Sequence, residues 1–184
     1  MTGPTPFGRV AIVWERSACG PRLVRVLLPS PRAPAELSVR RLFPEAEAGS
    51  SAEMDALARA IARLLAGDPV SLPEDVADLD RCPAFQRSVL ETEARVPRGC
   101  VTTYRLLALA LGRPGATRAV GRALASNPFP LLIPCHRAIR SDGRLGGFQG
   151  GLAMKRALLV AEGVRFDAAG HVCDAPIPGR SPHE

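Results

Sequence analysis

Lysine is almost missing from this 184-residue chain: Lys155 is the only one, although lysine and arginine together number 24 against 18 acidic residues. The net charge of +6 and the isoelectric point near 9.7 are therefore carried by arginine. Arginine forks onto phosphate and stacks on bases, so the excess suits a polyanionic partner. Arginine-for-lysine usage in a GC-rich genome explains it equally well. Histidine is scarce too, with three residues, and none of the five cysteines (Cys19, Cys82, Cys100, Cys135, Cys173) forms a C-x-x-C pair. That spacing argues against a zinc site, and neither metal nor cofactor is expected. No run of about 18 apolar residues is present, so no membrane span is expected. The N-terminus MTGPTPFGRV lacks the basic, apolar and cleavage regions of a signal peptide. A cytoplasmic protein with free thiols is the expectation, and most of those thiols read as small buried hydrophobes.

What is present reads as globular. Hydrophobic residues make up 46% of the chain and the mean hydropathy is +0.05. The length allows one sizeable domain or two small ones. Val10–Trp14 and Leu23–Leu28 are β-rich runs around a Cys19-Gly20-Pro21 turn, which predicts a hairpin. Ser50-Ser51-Ala52-Glu53 has a capping-box pattern, and Met54, Leu57, Ala58, Ile61, Leu64 and Leu65 then recur at helical spacing up to Gly67. Residues 1–75 are thus read as a small α/β domain, 76–81 as a linker, and 82–173 as a mostly helical second domain. The Pro/Gly-rich tail, 174–184, is predicted to be disordered. The fold class is α+β.

In the second domain, one helix carries Phe85, Val89 and Leu90 and ends near Pro97. Thr102 or Thr103 can cap another, carrying Leu106, Leu107 and Ala110. The turn Gly112-Arg113-Pro114-Gly115 leads to a short basic helix from about 116 to 125. Two short helices joined by such a turn suggest a helix-turn-helix, or else an ordinary helical hairpin. Ala119, Gly121 and Ala123 are small enough to let a backbone approach a groove. A last helix is expected from Leu152 to Glu162, closed by Gly163.

The chemistry concentrates at Cys135-His136. A cysteine nucleophile acts as thiolate, and a neighbouring imidazole can take its proton. Adjacent residues in extended chain point apart, so a turn or a bridging water is needed, and Pro134 makes a turn plausible. Glu162 can orient the histidine as a third member. A structural Cys-His pair remains the alternative at this stage.

The segment Asn127-Pro128-Phe129-Pro130-Leu131-Leu132-Ile133-Pro134-Cys135-His136-Arg137 resembles the active-site signature of the O6-alkylguanine-DNA alkyltransferases. Pro97-x-Gly-x-Val-x-Thr-Tyr104, Arg118-Ala119-Val120-Gly121-x-Ala123, Gly146-Gly147-Phe148-x-Gly150-Gly151 and Lys155-x-x-Leu158-Leu159-x-x-Glu162-Gly163 match in order and spacing, from about Cys82 to Phe166. The resemblance implies that Cys135 accepts the alkyl group, His136 activates it through a water and Glu162 polarises the histidine. It makes Asn127 a hinge and Tyr104 the residue that crowds the target phosphate. Arg118 fills the stack vacated by a flipped base, and Ala119, Gly121, Arg122 and Thr103 are the other DNA contacts. Pro130, Ile133, Ala138, Phe148 and Gln149 would form the alkylguanine pocket. The implied partner is duplex DNA containing O6-alkylguanine, met by a monomer without a cofactor, in a single irreversible turnover. Base flipping is required because an O6-alkyl group inside a duplex cannot reach a buried thiol.

Three positions depart from the family pattern. Phe148 stands where tyrosine is frequent, Gln149 where a small hydroxyl residue is common, and Ala138 where valine is usual. Two readings from other classes are a Cys-His-Glu hydrolase and a DNA-binding regulator without chemistry. An alkyltransferase-like lesion binder is a third, which the presence of Cys135 disfavours. The pairing of Cys135 with His136 and Glu162 leads to the expectation that the thiolate is favoured in the native protein.

Overall fold

The computed structural model describes residues 1–18, 20–30, 33–73 and 76–176. Cys19, in the predicted turn, and 177–184, in the predicted tail, lie outside the described residues. Strands β1 (Ala11–Ser17) and β2 (Gly20–Leu27) pair antiparallel, with Ser17 opposite Gly20. Gly20 sits at φ +112°, which a residue with a Cβ adopts only under strain. Helix α1 (Ala35–Leu42) has no counterpart in the sequence reading. It buries Ala35, packs Val39 and Phe43 into the same small cluster and leaves Leu37 and Leu42 exposed, and no capping side chain announces its start. Helix α2 (Ala52–Leu65) buries the six residues picked out by their spacing. Its cap is Ser51, whose hydroxyl accepts from the Met54 N–H at 3.2 Å, so the cap lies one residue beyond the predicted Ser50.

Residues 76–81, read as a linker, are tied down. Leu23 and Ala77 form a β-bridge, Asp78 pairs with both Arg22 and Arg81, and Arg81 also reaches Glu15. Beyond them come α3 (Ala84–Ala94), β3 (Thr102–Thr103), α4 (Tyr104–Ala110), α5 (Thr117–Ala125), β4 (Ala138–Ile139), α6 (Gly151–Ala161), β5 (Arg165–Phe166) and β6 (Val172–Asp174). The second half is therefore not purely helical. Strands β5 and β6 pair antiparallel, and Asp174, expected to begin the disordered tail, closes β6 opposite Arg165.

The parallel pair β3–β4 matters most for the site. Thr102 lies against Ala138 and Thr103 against Ile139. This short ladder sets Tyr104, immediately after β3, beside the Cys135-His136-Arg137 segment immediately before β4. One apolar core joins the hairpin, α2 and the helices α3 to α6. The two halves also share a backbone hydrogen bond, from the Val26 N–H to the Pro128 carbonyl at 2.9 Å. The N-terminal unit thus buttresses the segment that carries the cysteine.

Candidate active site

The active segment leaves α5 through Asn127-Pro128-Phe129-Pro130, where the prolines forbid helix. Asn127 is completely buried. Its Oδ1 accepts from the Phe129 N–H at 2.9 Å, and its Nδ2 donates to the Ile133 carbonyl at 3.1 Å and to Cys135 Sγ at 3.3 Å. Leu131 is buried in the left-handed region at φ 76°, a strain of about 1–3 kcal/mol that its surroundings must hold. That conformation lets the Ile133 N–H return to the Phe129 carbonyl at 2.9 Å. The chain then enters a 3₁₀ turn over Cys135–Arg137. The turn answers the geometric problem of adjacent side chains that would otherwise point apart.

Glu162 ends α6 as its C-cap, where a carboxylate meets the unfavourable end of the helix dipole. Four donors compensate. His136 Nε2 lies 3.0 Å from Oε1, Arg137 forks onto the carboxylate at 2.9 and 2.8 Å, and the Gly99 N–H reaches it at 3.3 Å. Burial alone would raise its pKa, but the hydrogen bonds and charges of His136 and Arg137 outweigh it and hold the carboxyl at about 2. His136 is itself buried, which lowers its pKa below 6.5 although Glu162 favours the charged form. The imidazole is therefore neutral at pH 7. A carboxylate only accepts, so Nε2 carries the hydrogen. Nδ1 is left as a free base, buried and without a hydrogen-bond partner among the described residues.

Cys135 is 6% exposed and borders a cavity of about 840 Å³. Burial is the largest influence on its thiol and pushes the pKa up to about 11; the hydrogen bond from Asn127 and the charge of Lys155 act the other way. The expected native thiolate is thus corrected. Desolvation outweighs the neighbours, and the group rests as a thiol with a neutral base beside it in the chain.

The structure sorts the other candidate residues. Tyr104, Arg118, Gly121, Phe148 and Gln149 line the cavity together with Cys135. Gly146 passes so close to Tyr104 that a Cβ there would lie 2.6 Å from the phenol oxygen, and its φ of +69° also demands glycine. Phe148 meets the His136 ring edge-on, with centroids 6.3 Å apart. Gln149 donates its amide N–H to the Asn127 carbonyl at 2.7 Å, tying the glycine loop to the segment before Cys135. Pro130, Ile133 and Ala138 are buried behind the residues that line the cavity. Arg118 and Arg122 are exposed on α5, and Ala119 is half-buried. Thr103 is buried and its hydroxyl caps α4 by accepting from the Leu106 N–H at 3.1 Å.

Sequence reasoning gave no role to Arg137, Glu93 or Lys155. Arg137 stood inside the signature, but the partner of its guanidinium lies in a distant helix. Glu93 left a weak trace, being a charged residue three and four positions after Leu90 and Val89 on their buried stripe. Among the described residues no cluster could hold a metal ion, and no helix is long and apolar enough to cross a membrane.

Residues 84–164 match the family model described as 6-O-methylguanine DNA methyltransferase, DNA binding domain. A methylated-DNA–protein-cysteine methyltransferase of Methanothermobacter thermautotrophicus is 45% identical over 107 residues, 58% of this chain and 60% of that protein. A human protein of the same name is 47% identical over 88 residues, 47% of this chain and 42% of its own length. The matched stretch thus spans about half the length of these relatives. A Mycobacterium tuberculosis OGT solved in complex with DNA superposes with a TM-score of 0.60 at 27% identity, covering 88% of this chain and 89% of that one. The O6-methylguanine-DNA methyltransferase of Pyrococcus kodakaraensis agrees in fold, with a TM-score of 0.62 at 22% identity.

Proposed function

We propose, from the match of residues 84–164 to the DNA-binding domain of the 6-O-methylguanine DNA methyltransferase family, that this protein repairs DNA by moving an alkyl group from guanine O6 to Cys135. The observation that carries the reading is the set built on the turn whose Cys135 borders the cavity. A buried thiol is followed by a neutral histidine whose Nε2–H is held by Glu162 and whose Nδ1 is left free.

The transfer balances without a cofactor. His136 Nδ1 takes the Cys135 proton through a water, the sulfur attacks the alkyl carbon, and the carbon–O6 bond breaks with its electron pair on guanine. The histidine's proton goes to the departing base. A thiol and an O6-alkylguanine become a thioether and a guanine. The thioether has no route back, so each molecule acts once.

The cavity opens beside α5, and α4–α5 is read as a helix-turn-helix facing duplex DNA. The base must leave the stack to reach a sulfur buried this deeply. In this reading Arg118 fills the gap; its exposure and its position on the cavity wall support the role. Small Ala119 and Gly121 suit the minor groove, whose sequence information is poor. That suits a protein that reads damage.

The test is intact-mass spectrometry after incubation with duplex DNA containing O6-methylguanine. One methyl per protein is expected, on Cys135, with DNA repaired equal to protein added. Repeated turnover would point to a Cys-His-Glu hydrolase instead, and a methyl on another cysteine would overturn the assignment. Arg118→Ala should slow reaction with duplex substrate by about tenfold or more, equivalent to about 1.4 kcal/mol. Reaction with free O6-benzylguanine, which needs no flipping, should stay near the wild-type rate. Equal losses on both substrates would show that Arg118 supports the pocket instead.

A further inference from the structure

The reaction as drawn uses His136 and Glu162 and leaves two buried charged groups without a task. Glu93 faces the core from α3 beside Val89 and Leu90, is completely buried, and neither of its carboxyl oxygens has a hydrogen-bond partner among the described residues. Lys155 faces the core from α6 beside Met154 and Leu158 and is equally buried. Its Nζ donates to the carbonyls of Ala138 at 2.6 Å and Gly147 at 3.4 Å. Ala138 closes the turn that begins at Cys135, and Gly147 shares the cavity wall with the sulfur. Helices α3 and α6 both pack against that turn. The acid and the amine therefore approach the reactive segment from two separate helices.

Stability does not account for Glu93. A buried carboxyl without hydrogen bonds costs about 1–3 kcal/mol or more relative to a satisfied group. A leucine on this stripe would pack without that cost.

We infer that Glu93 is a positioning residue of the transfer: with Lys155 it forms a buried acid–amine pair around Cys135, in which the amine favours the thiolate and the carboxylate restrains it. The inference rests on Cys135 being the alkyl acceptor. The restraint operates where the Glu93 carboxyl is ionised, in the alkaline range.

The electrostatics agree. Burial pushes the Glu93 carboxyl up to about 8, moderated by Lys155 and Arg137. Burial brings the Lys155 ammonium down to about 8, opposed by Cys135 and Glu93. Glu93 acts on Cys135 and Tyr104 as well, and Lys155 also acts on His136. Near neutrality the acid is mostly protonated and the amine mostly charged. As pH rises through 8 the carboxylate appears and the ammonium fades, and both changes oppose ionisation of the thiol. Reactivity of Cys135 should therefore climb less steeply with pH than a single ionisation would give.

The test measures carbamidomethylation of Cys135 by iodoacetamide from pH 6 to 10, read site by site by peptide mass spectrometry. Wild type, Glu93→Gln, Glu93→Leu and Lys155→Met are compared, with circular dichroism confirming the fold. Both Glu93 variants should raise the Cys135 rate at pH 9 by about threefold or more and steepen the profile, because a like charge has been removed. Lys155→Met should lower the rate. A purely structural Glu93 would change the melting temperature and leave the profile on that of wild type, and that result would overturn the inference. Methyl transfer from duplex DNA to wild-type Cys135 is measured alongside. If it fails while the Glu93 variants still shift the profile, the function reading falls and the electrostatic pair stands.

Discussion

His136→Ala is expected to slow alkyl transfer by about a hundredfold or more, the usual contribution of a positioned general base. The argument starts from the thiol. Burial pushes Cys135 up to about 11, so almost none is thiolate at pH 7 and the proton must be removed during the reaction. The buried Nδ1 of His136 is the neighbouring base, without a hydrogen-bond partner among the described residues. It works only when neutral, and burial keeps its pKa below 6.5. The wild-type rate should therefore hold on a neutral plateau and fall as pH drops through the histidine's pKa. The alanine variant should lack that acid limb and respond to pH only through the thiol. Single-turnover transfer rates from pH 5 to 9 measure both features. Because Glu162 acts through the same imidazole, Glu162→Gln added to His136→Ala should cost far less than the two losses combined. A wild-type rate in His136→Ala, or strict additivity, would remove the histidine from the mechanism.

Glu162→Ala should be the most destabilising substitution at the site, by about 3–5 kcal/mol, because it leaves the Arg137 guanidinium without its carboxylate in a mostly buried position. Glu162→Gln keeps an acceptor and should cost less. The pH dependence identifies the cause. The folded carboxyl sits at about 2, against an ordinary value of 4.5. A depressed acid contributes stability that is fully present above its unfolded pKa and lost as pH falls through its folded one. The advantage of wild type over Glu162→Ala should therefore hold from neutrality to about pH 4.5 and shrink progressively toward pH 2. Urea unfolding at pH 7, 4 and 3 measures it. An advantage that does not change with pH would mean that shape, and not charge, makes Glu162 necessary.

The sequence by itself determined the elements whose periodicity is strong and local. The stripe from Met54 to Leu65, the stop at Gly163, the break at Asn127-Pro128-Phe129-Pro130 and the need for a turn at Cys135-His136 all follow from the preferences of a few neighbouring residues. Helix α1 escaped although Ala35, Val39 and Phe43 share one face, because the helix is short and starts at Pro34 without a capping side chain. The ion pairs that hold residues 76–81 were not legible, because Arg22 and Glu15 are distant in the chain from Asp78 and Arg81 and meet them only once the hairpin is folded.

The candidate site divides the same way. Cys135 and His136 were legible as neighbours and Glu162 by resemblance, but the protonation states were not. The sequence suggested a thiolate next to an imidazolium, whereas the fold holds a thiol next to a neutral imidazole. The difference is desolvation, which depends on how deeply α3 and α6 cover the turn. The fork of Arg137 onto Glu162 and the convergence of Glu93 and Lys155 on Cys135 were likewise decided by tertiary structure alone. Charge couples groups through space, and distances between helices are not written in the spacing of residues along the chain.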